Sequence, residues 1–237
     1  MTNKKIALVT GANKGIGYEV ARQLGELGIT VLVAARNQAT ADETANQLSK
    51  QGIEAVGVEL NVTNPEHIAK VTRWISDTYG QLDILVNNAG VWAEKEDYEG
   101  DALRDTFEVN TFGPYHLTES LMPLLLKSEA GRIVNQSSAL GSIQFLLTNE
   151  LAQRIATPAY SASKAALNML TAYWAQKAQG TNLKVNSVHP GLVKTQMGGE
   201  KAELSPEEGA KTAVRLATLS EGGPTGCFYY MDSLLPW

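Results

Sequence analysis

Tyr160 and Lys164 stand four residues apart in Tyr-Ser-Ala-Ser-Lys, a stretch of helical character. That spacing sets both side chains on one helix face. A phenol with an ordinary pKa of about 10 is a poor acid or base at neutral pH. A neighbouring ammonium stabilises the phenolate and lowers that value. The pair therefore suits proton transfer to an oxygen. Taken alone, it is also what a helix with a half-buried tyrosine and a solvated lysine would show. Near the start of the chain, Thr10-Gly-Ala-Asn-Lys-Gly-Ile-Gly17 follows an apolar run and precedes a helical pattern. Glycines at such a junction allow a tight turn and bring helix amides up to a pyrophosphate. Their place between strand and helix is what makes them informative.

Other chemistries are excluded. His67, His116 and His189 have no ligand-spaced partners, and Cys227 is the only cysteine, so neither a metal site nor an intrachain disulfide is expected. Cys227 is expected to be a small buried hydrophobe. The 237 residues carry 20 Lys+Arg against 25 Asp+Glu, a net charge of −5, and 43% are apolar. This mild acidity argues against nucleic acid as a partner. The apolar run at 6–9 is too short for a secretory signal, and the uncharged stretch at 133–149 is too polar to span a bilayer. The expectation is a cytoplasmic protein with no membrane partner.

The elements that must position these residues follow from periodicity. Apolar runs at 6–9, 30–34, 55–60, 82–86, 132–137, 183–188 and 226–230 read as strands. Helical patterns lie between them: Val20, Leu24 and Leu27 with a stop at Gly28, then 40–51, 103–127 with a bend at Gly113-Pro114, and 161–179. Thr63-Asn-Pro-Glu66 reads as a capping box opening a helix to about Tyr79, and Ser205-Pro-Glu-Glu208 starts another. Continuous apolar strands with helical connections predict an α/β fold: a doubly wound, mainly parallel, seven-stranded Rossmann-type sheet with helices on both faces. Absence of a linker or repeat predicts one domain over 1–237 that holds both cofactor and substrate sites.

Further segments fall in a recognisable order. Asn87-Asn-Ala-Gly90 ends the fourth strand, Asn110 lies in the next helix, and Ser137-Ser138 ends the fifth strand. Pro190-Gly191 follows the sixth. Together with the glycine segment and the Tyr-Lys pair, they cover the chain from Thr10 to about Thr195 and resemble the short-chain dehydrogenases/reductases. Opening Thr-Gly-Ala-Asn-Lys-Gly and closing Pro-Trp are similar to the carbonyl-reductase branch.

The resemblance implies reversible hydride transfer between NADP(H) and a ketone or aldehyde, with Tyr160 giving a proton to the carbonyl oxygen. Ser138 would hydrogen-bond that oxygen, Lys164 would hold the nicotinamide ribose, and Asn110 would organise a relay water. Ser137 is a rival for the serine role; Ser138 is preferred because it opens Ser138-Ala-Leu-Gly141, as in family members. Cofactor contacts are implied at Gly11, Asn13, Lys14, Gly15, Ile16, Gly17, Arg36, Asn61, Val62, Asn88, Ala89, Gly90, Tyr160, Lys164, Pro190, Gly191, Val193 and Thr195. The second strand ends in Ala34-Ala-Arg36, without the carboxylate that commonly binds a ribose 2′-hydroxyl. Arg36 and Lys14 suit a 2′-phosphate instead, which predicts NADP(H).

Two departures from the family pattern bear on the substrate. Asn61 stands where an aspartate often contacts the adenine. Ser138 and Tyr160 are 22 positions apart, an unusually long spacing for the family, with the surplus inside 141–158 and a short helix expected at 151–156. Carbonyl reductases carry extra chain here that obstructs the usual oligomer contact, so a monomer is expected. Residues 192–204, containing Gly198-Gly199, read as a mobile lid. Phe145, Leu146, Trp92 and Met197 are candidate pocket walls for an apolar or aromatic substrate. A narrower ketoreductase of a 3-ketoacyl or ketosteroid intermediate, and a non-catalytic NADP(H) sensor, are the alternatives.

Overall fold

The computed structural model describes residues 4–95, 98–199 and 201–237. Seven apolar runs, β1 (Ile6–Thr10), β2 (Thr30–Ala35), β3 (Ala55–Glu59), β4 (Ile84–Asn87), β5 (Arg132–Gln136), β6 (Lys184–Val188) and β7 (Cys227–Tyr230), pair in parallel. Their order is β3-β2-β1-β4-β5-β6-β7. An eighth strand, β8 (Ser233–Leu234), turns back antiparallel onto β7. The seven-strand expectation missed it because two exposed residues form no apolar run.

Parallel pairing needs helical crossovers. These are α1 (Gly15–Glu26), α2 (Gln38–Ser49), α3 (Pro65–Tyr79), α4 (Ala102–Phe107), α5 (Gly113–Leu125), α6 (Ile143–Thr148), α7 (Glu150–Ile155), α8 (Pro158–Lys177) and α9 (Pro206–Ala217). Side chains alternate across each strand. Ile6 and Leu8 of β1 pack with α3, α5 and α8 on one face, whereas Ala7 and Val9 pack with α1, α2 and α9 on the other. Strand order reverses between β1 and β4, which opens a crevice at the carboxyl ends of the strands, the place where such sheets bind ligands.

Local chemistry adjusts several expected boundaries. Asn64, not Thr63, caps α3, accepting from the amides of Glu66 and His67, because Pro65 occupies the first helical position. Thr63 bonds Asn61 instead. The bend expected at Gly113-Pro114 is a π-helical turn over Glu108–Phe112, just before it. Pro114 has no N–H to give the carbonyl of Asn110 four residues back, which accounts for the widened turn. The long helix begins at Pro158 rather than 161, so Tyr160 lies in its first turn. Two helices, α6 and α7, fill the 141–158 stretch where one was expected, each capped by its own side chain, Ser142 and Asn149.

Residues 192–204 close at their base through Val193 and Leu204, with Lys194 N–H bonding the Leu204 carbonyl at 2.8 Å; Glu200, within this expected lid, lies outside the described residues. Cys227 is half-buried rather than buried. Among the described residues no helix is long and apolar enough to cross a membrane, and no cluster of His, Cys, Asp and Glu is arranged to hold a metal.

Candidate active site

β5 ends at Gln136, and the two serines that follow diverge. Ser137 donates its hydroxyl to the Lys164 backbone carbonyl at 3.4 Å. Ser138 is near enough to the Tyr160 phenol to lower its pKa, and its hydroxyl accepts the Leu140 amide at the start of a 3₁₀ turn. Of the two, Ser138 is the one that acts on the phenol. One helical turn beyond Tyr160, the Lys164 ammonium donates to the Gln136 carbonyl at 2.8 Å and lies 5.7 Å from the Tyr160 ring centre. Both side chains are buried.

Burial sets the protonation states. It pushes the Tyr160 phenol up to about 12, against the opposing effect of Ser138. The same desolvation lowers Lys164 from 10.5 to about 8. This differs from the expectation that Lys164 would depress Tyr160. At 5.7 Å from the ring, the ammonium is outweighed by the loss of water around the phenol.

Asn110 sits in the π turn, fully buried. Its amide is committed: Oδ1 accepts from Val91 N–H at 2.8 Å, and Nδ2 donates to the Val91 carbonyl and to Ser163 Oγ. Gly90 fits between Asn110 and Lys164, and a Cβ there would come within 3.3 Å of one and 3.5 Å of the other. The loop after β4 is thereby pinned beside the Tyr-Lys pair.

The glycine segment is held just as firmly. Asn88 Nδ2 donates to the carbonyls of Thr10 and Gly11, while Thr10 Oγ1 accepts the amides of Asn88 and Ala89. Gly11 has φ of +60° and Gly15 of +58°, which only glycine adopts readily. A side chain at Gly17 would land on the Gly11 carbonyl and Asn88. Ile16 packs into the core beneath, and Asn13 is half-buried. Lys14, exposed, precedes α1 without capping it and bonds Gln196 of the 192–204 loop at 2.8 Å. Thr195 of that loop lies 3.3 Å from where a Cβ of Gly15 would be. Pro190 and Gly191 lead into the loop, and Val193 is buried against Gly209 of α9.

Arg36 projects from the end of β2, exposed, and makes no hydrogen bond or ion pair among the described residues. Asn61 is tied locally: its Oδ1 accepts from Thr63 and its backbone N–H donates to His67 Nδ1. Val62 is buried against Gly113, so its backbone is what it offers to the crevice.

These residues fit a dinucleotide. The first amides of α1 have no side-chain cap, whereas α2, α3 and α9 are each capped by a side chain. Lys164 has three donors and a single acceptor, leaving two for hydroxyls. Arg36 supplies an uncommitted guanidinium at the adenosine end.

Phe145, Leu146, Trp92 and Met197, drawn from three separate segments, gather with Leu140 around Tyr160. Sequence reasoning named these four but missed how Trp92 is placed. Its ring stacks on Tyr160, with centres 4.3 Å apart and planes 11° from parallel. It also missed Glu94 and Thr157, whose partners lie some 65 residues away in the chain, where no local pattern announces them.

Comparison with known proteins agrees with this geometry. The sequence profile of a family described as short chain dehydrogenase matches residues 5–205. The chain is 32% identical to (-)-isopiperitenone reductase of Mentha piperita, covering 98% of each chain. An NADPH-bound carbonyl reductase from chicken fatty liver superposes with a TM-score of 0.85 at 29% identity, covering 100% of both chains. Salutaridine reductase from Papaver somniferum gives 0.83 at 30% identity, over 95% of this chain and 99% of that one. With the profile spanning most of its length, the chain belongs to the short-chain dehydrogenase/reductase family of oxidoreductases.

Proposed function

We propose that the protein is an NADPH-dependent reductase of ketones or aldehydes, of the carbonyl-reductase type. The observation that carries this reading is the meeting of Ser138, Tyr160 and buried Lys164 at the end of β5. In this reading NADPH, when bound, supplies the hydride to the carbonyl carbon. Tyr160 gives its phenolic proton to the carbonyl oxygen, so the product is an alcohol. Its burial keeps that proton in place through the neutral range, as a donor requires. Ser138 orients the carbonyl oxygen toward the phenol. Lys164 holds ribose hydroxyls with its two unused donors.

Asn110 has both side-chain donors committed, and its Oδ1 is held by the Val91 amide. Its contribution to a relay water is its backbone carbonyl, which Pro114 cannot cap. Arg36, with Lys14 beside it, takes the 2′-phosphate. The apolar cluster of Leu140, Trp92, Phe145, Leu146 and Met197 favours an apolar or aromatic substrate. Relatives with NADPH or NADP bound, and relatives named as reductases, support the cofactor and the direction.

The test is NADPH oxidation against a panel of ketones, aldehydes, quinones and 3-ketoacyl thioesters, with Tyr160→Phe alongside. Turnover that disappears in the variant supports the reading. NADPH binding without turnover on any member of the panel would favour a sensor instead.

A further inference from the structure

Tyr160 must present its hydroxyl to a substrate while its backbone sits in the first turn of α8, where helix amides lack partners of their own. Thr157 occupies the cap position of α8 but makes no capping bond. The cap comes from elsewhere. Glu94, on a 3₁₀ turn over Ala93–Lys95, places Oε1 3.1 Å from the Ala159 amide and Oε2 3.0 Å from the Tyr160 amide. A carboxylate there completes the helix start and meets its dipole. Thr157 lies close enough to this carboxylate to help hold its pKa down. Its hydroxyl oxygen accepts the indole N–H of Trp92 at 2.7 Å. The Trp92 ring, fixed at that edge, lies flat on the Tyr160 ring.

The path is closed. Starting at the Tyr160 backbone, it runs through Glu94, Thr157 and the Trp92 indole and returns to the Tyr160 ring. The hydrogen bonds run from the indole N–H to the hydroxyl and from the helix amides to the carboxylate, with the Thr157 hydroxyl beside that carboxylate. A helix and a loop separated by some 65 residues are thus tied at the backbone of Tyr160 and at one face of its ring.

We propose that Trp92, braced by Thr157 and Glu94, is a positioning residue that holds the Tyr160 phenol in line with Ser138 and fixes one wall of the substrate pocket. The inference rests on the reading of Tyr160 as proton donor. Misplacing a reacting group by about 1 Å costs on the order of 100-fold in rate. A loosened stack should therefore act on kcat, because none of the three bracing residues lies among the proposed NADPH contacts.

The experiment uses the full chain and five variants: Trp92→Phe, Trp92→Ala, Thr157→Val, Thr157→Ser and Trp92→Phe combined with Thr157→Val. With the best carbonyl of the panel, Trp92→Ala and Thr157→Val should lower kcat about tenfold. NADPH Kd, read by fluorescence titration, should stay within about twofold, and Thr157→Ser should restore the rate. The combined variant should be no slower than Thr157→Val alone, since Thr157→Val already removes the bond that Trp92→Phe removes. Rates within about twofold of the wild type in Trp92→Ala and Thr157→Val would overturn the proposal. So would a kcat loss matched by lost NADPH affinity and a lower melting temperature.

A second readout needs no turnover. With 5-fluorotryptophan at the four tryptophans, the Trp92 ¹⁹F resonance is assigned by its loss in Trp92→Phe. It should move in Tyr160→Leu, where the ring current goes, and in Thr157→Val, where the brace goes. A resonance indifferent to both overturns the brace even if the wild type reduces no carbonyl, a failure that would count separately against the proposed function.

Discussion

The Lys164 ammonium donates to the Gln136 carbonyl at 2.8 Å from a side chain that is almost wholly buried. Burying a charge with one neutral partner is costly, and the lysine pKa falls from 10.5 to about 8 in consequence. The unfolded chain keeps its proton to the ordinary value. Between about pH 8 and 10.5 the unfolded state therefore binds the extra proton, and stability rises with pH. Lys164→Met lacks this contribution. Wild type should gain on the variant across that window by up to about 3 kcal/mol, read by denaturant unfolding at pH 7 and pH 10. A gap that stays constant would mean the ammonium is solvated.

Catalysis responds to the same two groups in a different way. With Tyr160 pushed up to about 12, the donor stays loaded through neutral and mildly alkaline pH. The high-pH limb then belongs to Lys164. In the reduction direction, kcat should be level below about pH 8 and fall above it as the ammonium loses its charge. Tyr160→Phe should cost about 10²–10⁴-fold in kcat while NADPH still binds. A reduction rate that climbs with pH through 8 would contradict this assignment.

Cofactor choice turns on Arg36, which is uncommitted among the described residues. Arg36 has no partner to leave, so a phosphate gains its full interaction. Lys14 must first release Gln196. Arg36→Ala should weaken NADPH binding about tenfold, a discount from the buried-pair value because the site is exposed. NADH binding should not change, and Lys14→Ala should have the smaller effect. Fluorescence titration with both nucleotides decides it. Equal losses for NADH and NADPH would place Arg36 away from the 2′-phosphate.

Sheet and site differed in how much of them the residues announced. Strands buried on both faces write themselves as apolar runs, and the glycine, Asn-Asn-Ala-Gly and Tyr-x-x-x-Lys segments are local in the chain. Those were legible. β8 was not, because two exposed residues on an edge have no pattern. The π turn at Glu108–Phe112 follows from Pro114, yet a proline at that point is equally compatible with a simple bend. The Thr63 box failed because two capping residues stood side by side and Pro65 settled which one served. Hardest to read were the long-range ties. Glu94 capping α8 and Trp92 stacking on Tyr160 depend on where a loop of β4 lands, which only the folded sheet determines. The raised phenol pKa has the same origin, since burial is a property of the packed cluster and not of the Tyr-Lys spacing.

Gly17 offers a test of the cradle that avoids the catalytic groups. A methyl there would meet the Gly11 carbonyl and Asn88 Nδ2. Neither neighbour can yield cheaply: one is backbone, and the other is held by bonds of 2.8 and 3.2 Å to the Thr10 and Gly11 carbonyls. Overpacking of this kind costs about 1–3 kcal/mol, so Gly17→Ala should melt several degrees lower, given roughly 2–4 °C per kcal/mol at this size. The same shift moves the first amides of α1 away from a pyrophosphate, and NADPH Kd should rise at least about tenfold. Gly222→Ala is the control, since a Cβ there meets nothing within 4 Å; it should leave both melting and binding unchanged. If Gly17→Ala bound NADPH as tightly as the wild type, the turn between β1 and α1 would not be where the pyrophosphate rests, however well its glycines suit one.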